Sequence, residues 1–173
     1  MEGDVDGAEF ESLAAEHAIP MQKNRVVLYF YFQEMEVESA LQLFSDAMDA
    51  EEDMITEVGH HSVAMLKSTE EDADFSEVEE YATAFENSLL TETGATVFIG
   101  ISDPRKELTG IPEAFAEARA AINVGRMYHP NRRVFVYRNL LLERFLSDVS
   151  PELGANYNAR IFNRRTEIGR AHV

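Results

Sequence analysis

Cysteine is absent, which excludes disulfides, thiolate metal sites and a cysteine nucleophile. No apolar run approaches the roughly 18 residues that a membrane-spanning helix needs. Residues 1–11 are acidic and lack the basic-then-apolar order of a secretory signal. Basic residues are scarce where the chain begins. Residues 1–94 hold 24 Asp and Glu against 3 Lys and Arg, residues 95–173 hold 8 against 12, and the net charge is −17. So acidic a first part repels a phosphate backbone and is a poor DNA binder on its own. These absences lead to the expectation of a cytoplasmic protein with no membrane partner. The acidity itself is read as solvated surface.

What is present suits one packed domain: 173 residues, 45% of them hydrophobic, suffice for a core with short flanks. The clearest strand is 25–33 (RVVLYFYFQ), β-branched and aromatic and apolar on both faces, as in the buried middle of a sheet. Residues 37–50 read as a helix, with Leu41, Phe44 and Met48 at helical spacing and Leu43 and Ala47 beside them. Two short strands, 54–58 and 62–66, flank Gly59-His60-His61, a hairpin turn where Gly59 is expected to supply a positive φ. The acidic stretch 70–74 is a loop. Residues 75–90 form a helix whose buried stripe is Val78, Tyr81, Ala82, Phe85 and Leu89, stopped at Thr93-Gly94. A buried strand over 95–101 follows. The next helix covers 111–128, with Pro112 in its first turn and Phe115, Ala118, Ile122 and Met127 inward. A last strand covers 132–137 and a short helix 139–146. A helix over 9–17 precedes all of these, and Ser150-Pro151 opens another. Strands separated by helices imply an α/β (α+β) sandwich with helices packed on a mixed sheet.

The order βαββαβ, with a further helix and strand, resembles the GGDEF/nucleotidyl-cyclase fold. The later motifs narrow the likeness. Ala95-Thr-Val-Phe-Ile-Gly-Ile-Ser102 has a Gly-x-Ser strand end. Glu113-Ala-Phe-Ala-Glu-Ala-Arg-Ala-Ala-Ile122 is an Ala-rich helix containing Glu-Ala-Arg. Gly125, Val134-Phe-Val-Tyr137 and the Leu-rich segment Leu140-Leu-Leu-Glu-Arg-Phe-Leu146 follow. In this order they resemble the GGDEF-like domain of PucR/CdaR-type transcription regulators. The resemblance implies a regulatory domain set between an upstream sensor and a C-terminal helix-turn-helix domain. On that reading 1–24 is a helical lead-in, 25–147 the GGDEF-like domain, and 148–166 a connector, of which 157–165 is the most characteristic part.

A working cyclase of this fold needs a Gly-Gly turn that lets backbone amides reach phosphate. It also needs an acidic pair beside the turn and an Asp ending the first strand to hold metal ions. Here the turn reads Glu57-Val-Gly-His-His-Ser-Val63, and the first strand ends Phe30-Tyr31-Phe32-Gln33, with no carboxylate before Glu34. The expectation is therefore no enzyme, with no catalytic, cofactor-binding or metal-binding residue and no cofactor; the alternatives are a degenerate module whose turn still holds a nucleotide or metabolite, and an active nucleotidyl cyclase. His60 and His61 are read as exposed turn residues, because neighbours on an extended chain point to opposite faces. His17 and His129 are read as surface residues near helix ends. Ser39, Ser62 and Ser102 have no evident base partner. Tyr29, Phe30, Tyr31 and Phe32 are read as core packing rather than a base-stacking platform. Met35, Met48, Met54 and Met65 are read as fillers. Glu51-Glu52-Asp53 and Glu70-Glu71-Asp72 lack the spacing of a calcium loop and are read as solvated.

The expected partners are a second copy of the chain, a small-molecule effector, and DNA only through the C-terminal domain. Residues 168–173 match one reading frame of a common sequencing-adapter sequence, so the tail 167–173 is expected to be foreign to the natural product. The unbroken gene is expected to continue in frame after Thr166 with different codons and to encode a helix-turn-helix. A genomic stop after Val173 sinks the first expectation, and a continuation without that motif sinks the second.

Overall fold

A computed structural model describes residues 12, 16, 23–71 and 74–149. Most of the helix expected over 9–17 and all of the one opening at Ser150-Pro151 lie outside the described residues. The elements are β1 (Asn24–Phe32), a 3-10 turn (Val37–Ala40) running into α1 (Leu41–Ala47), β2 (Met54–Gly59), β3 (Ser62–Thr69) and α2 (Phe75–Thr93). Then come β4 (Val97–Ile101), a 3-10 turn (Leu108–Gly110) leading into α3 (Ile111–Tyr128), β5 (Val134–Val136), a 3-10 turn (Tyr137–Leu140) and α4 (Leu141–Val149).

The five strands form one sheet in the order β2-β3-β1-β4-β5. The β4–β5 pair is parallel and the others are antiparallel, so the sheet is mixed. The α+β architecture is the one expected, and β1 lies at its centre. Its side chains alternate between faces. Val26, Leu28, Phe30 and Phe32 are buried in the main core, with Phe44 of α1 and Val78, Ala82, Phe85 and Leu89 of α2. Three rings meet there: Phe30 lies 4.9 Å from both Phe44 and Phe85, and Phe44 lies 4.7 Å from Phe85. The two Phe30 contacts are edge-to-face and the Phe44–Phe85 pair is tilted, and such pairs stabilise beyond the area they bury. Val27 turns the other way, onto Leu108, Ile111, Ala114 and Ala118 beneath α3.

Helix α2 has the ends its sequence implies. The Asp74 carboxylate accepts from Ser76 N at 3.2 Å, and Gly94 takes φ 72° while its amide donates to Leu90 O at 2.9 Å. Helix α1 is shorter than the periodicity over 37–50 implies. Its first turn is 3-10, and Met48 leaves the helix with ψ 149°. The cause is Asp53, whose buried carboxylate accepts from Asp49 N at 3.0 Å and Ser68 N at 3.1 Å and pairs with Lys67 Nζ at 3.0 Å. Those bonds draw the chain into a turn. Leu41, read as an inward residue, is 38% exposed; Val37, Ala40 and Phe44 are the buried ones. Met127 is likewise exposed rather than inward. Strand β3 runs on to Thr69 because β1 pairs with it as far as Asn24. Strand β5 is shorter than 132–137, since Arg132 closes a turn on His129 and Tyr137 begins the 3-10 segment.

Tyr81 joins α2 to this turn. Its hydroxyl donates to Ala47 O at 2.9 Å, and Lys67 Nζ sits 4.3 Å from its ring centre. Burial, aided by the Asp53 carboxylate, pushes the phenol up to about 12. A phenol whose folded value is raised contributes stability that is complete below its ordinary value of 10.0 and is lost as pH rises through about 12. Urea denaturation of Tyr81→Phe should show a loss of about 1 kcal/mol at neutral pH from the missing hydrogen bond. The variant should also show a shallower fall in stability above pH 10 than the parent. Equal alkaline slopes in both proteins would show that Tyr81 is not the group responsible.

Candidate functional site at the hairpin turn and the strand-end motif

The β2–β3 turn lies against the end of β1. Phe32 N donates to His61 O at 2.8 Å, and Val37 N donates to His60 O at 3.0 Å. The His61 ring closes the same loop, with Nδ1 3.0 Å from Met35 O. Strand end, following loop and turn are thus joined by the protein's own hydrogen bonds at the place where a cyclase of this fold would hold metal and phosphate. The side chains presented there are Gln33, Glu34, His60 and His61, all exposed. Among the described residues no group of three or more His, Asp or Glu side chains is arranged to hold a metal ion.

Gly59 differs from its expected role. Among the described glycines only Gly94 has a positive φ, and the hairpin is accommodated by a register shift between Glu57 and Gly59. A Cβ placed on Gly59 would lie 3.6 Å from Ser62 Oγ, an ordinary contact. Nothing in the turn therefore demands glycine.

The strand-end motif is different. Gly100 faces α3 so closely that a Cβ there would lie 1.9 Å from Ala118 O. Ser102 is fully buried; its hydroxyl accepts from Val27 N at 2.9 Å and donates to Asp103 O at 2.9 Å. Its own amide donates to Val27 O at 2.9 Å, so one serine continues the β1–β4 pairing beyond the strand. Glu117 reaches down from α3, accepting from Asp103 N at 3.0 Å and from Arg105 Nη2 at 2.5 Å. Asp103 also accepts from Arg138 Nε at 2.9 Å. Gly125 sits against Phe135 of β5, where a Cβ would lie 2.1 Å from Cδ1. Gly100 and Ser102 of the Gly-x-Ser end, Glu117 and Ala118 of the Glu-Ala-Arg stretch, and Gly125 hold α3 to the sheet. Both hydrogen bonds of the Ser102 hydroxyl are to backbone groups.

The remaining candidates separate cleanly. Ser39 is exposed and Ser62 half-buried, while Met65 is fully buried and Met35, Met48 and Met54 partly so. His129 caps α3, and its Nε2 lies 3.0 Å from Glu143 Oε1 of α4. Of the acidic runs, Glu52 pairs with Lys23 and Glu71 with Lys106, whose ammonium holds the Glu71 carboxyl below its usual range. Asp53 is the exception to the solvated reading, being buried and triply bonded as described above. His17 and Asp72 lie outside the described residues. Phe30 and Phe32 are core, as expected, but Tyr29 and Tyr31 are half-buried on the opposite face beside Arg119, Asn123 and Arg126 of α3. The spacing of those three positions on a helix was the available signal for that grouping. Two further features, the Arg105–Glu117 pair and the buried Arg25, carried no sequence signal: the first joins the loop after β4 to α3, and the second joins the start of β1 to that same loop. Burial lowers the Arg25 guanidinium from its ordinary value, opposed by the Glu52 carboxylate.

Residues 2–124 match a family model described as a GGDEF-like domain. No curated protein matches the chain. The matched segment includes β1, the β2–β3 turn and most of α3.

The two glycine environments differ in what they tolerate. Gly100→Ala forces α3 off the sheet and is expected to cost about 1–3 kcal/mol or more. Gly59→Ala is expected to stay within about 0.5 kcal/mol of the parent. Chemical denaturation of both variants checks this. Comparable stabilities would mean that α3 does not lie where the backbone contact puts it.

Proposed function

The chain belongs to the family of GGDEF-like domains, and from that premise we propose that it is a non-catalytic regulatory module. Its place is within a bacterial transcription regulator of the PucR/CdaR type, where it couples an effector signal to a DNA-binding domain. The observation that carries this reading is the turn itself. The end of β1 and the β2–β3 hairpin carry Gln33, His60 and His61 where a cyclase needs carboxylates, and backbone hydrogen bonds set the two side by side. The acidic β1-to-α2 part of the chain makes the domain a weak direct reader of DNA, so contact with a promoter would fall to a helix-turn-helix domain.

Helix α4 supports a self-associating module. Leu141, Leu142, Phe145 and Val149 are 69%, 59%, 61% and 62% exposed, and they lie along one side of the helix. Two copies meeting there would place paired DNA-binding domains at a fixed separation, which is what two half-sites on DNA require.

Incubation of the purified chain with nucleoside triphosphates and magnesium is expected to yield no cyclic mono- or dinucleotide. Formation of either overturns the non-catalytic reading. Sedimentation velocity is expected to show concentration-dependent dimers that Phe145→Asp converts to monomers. A parent that remains monomeric at every concentration overturns the self-association.

A further inference from the structure

Three surface clefts formed by described residues have acidic walls. One contains Glu70, Glu71 and Glu107, a second Glu51, Glu52 and Asp53, and a third Glu79 and Glu80. A fourth cleft, between β1 and α3, has none. It measures about 320 Å³ and is lined by Tyr29, Tyr31, Arg119, Ile122, Asn123 and Arg126.

The cleft follows from the register of the sheet and the pitch of the helix. Tyr29 and Tyr31 are two apart on β1 and so share a face. Their register partners on β3 are Ala64 and Ser62, which are short. On α3, positions 119, 123 and 126 are spaced four and three apart and form one stripe. The Arg126 guanidinium lies 4.1 Å over the Phe98 ring and 5.9 Å from the Tyr31 ring centre. No described carboxylate comes within 4.0 Å of it. Arg119 lies 5.9 Å from the Phe115 ring centre, and Phe115 meets Tyr29 edge-on at 5.5 Å. Neither the Tyr29 nor the Tyr31 hydroxyl has a hydrogen-bond partner among the described residues.

We infer that this cleft is a binding site for a small organic oxyanion that carries a flat ring. A guanidinium presents its N–H groups as a planar fork that matches carboxylate or phosphate. Phe98 holds the Arg126 fork in place by stacking, which reduces what is lost on binding. The tyrosines supply ring surface and two hydroxyls for the body of the ligand. The volume lies at the lower end of the roughly 300–1,000 Å³ typical of small-molecule sites. A chain with net charge −17 repels an anion over much of its surface, and the exposed Arg126 guanidinium offsets that at this cleft. The site lies on the opposite face of β1 from Phe30 and Phe32, and α3 bridges it to Phe135 and, through His129, to α4. It deepens the regulatory reading by giving the module a ligand, and it stands apart from the hairpin.

The test uses the whole chain and three probes: adenosine 5′-monophosphate, benzene-1,3-dicarboxylate and inorganic phosphate. The sequence has 6 Tyr and no Trp, so intrinsic emission reports tyrosine alone. At about 10 mM, one of the ring-bearing anions is expected to raise the melting temperature and quench this emission, with inorganic phosphate weaker in both readouts. Whichever ring-bearing probe binds more tightly assigns phosphate or carboxylate. Arg126→Ala is expected to weaken binding about tenfold or more. Asn123→Asp, at an exposed position that leaves the fold intact, should abolish it by placing a negative charge in the cleft. Phe145→Asp and His60→Ala should leave binding unchanged, so the ligand site and the self-association surface fail or succeed separately. Absence of any response to both ring-bearing probes overturns the site, as does a response that survives Arg126→Ala and Asn123→Asp.

Discussion

The contact on which most of this structure depends is the one between the backbone of α3 and strand β4 at Gly100. With a side chain there the helix would have to lift, since a Cβ would fall within 1.9 Å of Ala118 O. Because it does not, Ala114, Ala118 and Ala121 also lie fully buried against the sheet. Small residues on the inward face of a helix are what allow such an approach. The parallel pairing of β4 with β5 follows as well, for α3 is the crossover between them, and Gly125 lets Phe135 tuck under its last turn.

The ionic contacts around the top of β4 depend on that placement. Glu117 reaches both Asp103 N and Arg105 only because α3 lies low on the sheet. Arg105 exchanges backbone bonds with Arg25, and Ser102 with Val27, so the start of β1 and the loop after β4 act as one unit. Residues that carry the family likeness are here the fasteners of a helix to a sheet. The β2–β3 turn, at the other end of the molecule, is free of this constraint and tolerates what the strand end does not.

Strand β1 divides the molecule by the alternation of its side chains. One set fills the aromatic core under α1 and α2; the other set reaches toward α3 and leaves Tyr29 and Tyr31 half-buried next to arginines. A strand apolar on both faces reads as wholly internal, yet only one face of β1 is filled along its whole length. Helix α3 is centred over β4 and the near edge of β1, and the short side chains of β3 leave space beside it.

The order of elements, the mixed α+β class, the buried stripe of α2 with its Gly94 stop, and the absence of carboxylates at Gln33 and the hairpin were all legible in the amino-acid sequence. Each rests on local periodicity, a cap, or the identity of residues at one point in the chain. Tertiary structure alone decided the early end of α1, since Asp53 meets Lys67 and Ser68 only after β3 has formed. It likewise decided the structural role of Ser102 and the pairing of Glu117 with Arg105. It also brought Tyr31, 95 residues away in sequence, within 5.9 Å of Arg126. Such features depend on which distant segments the sheet register and the helix crossover bring together, and no local pattern of residues carries that information.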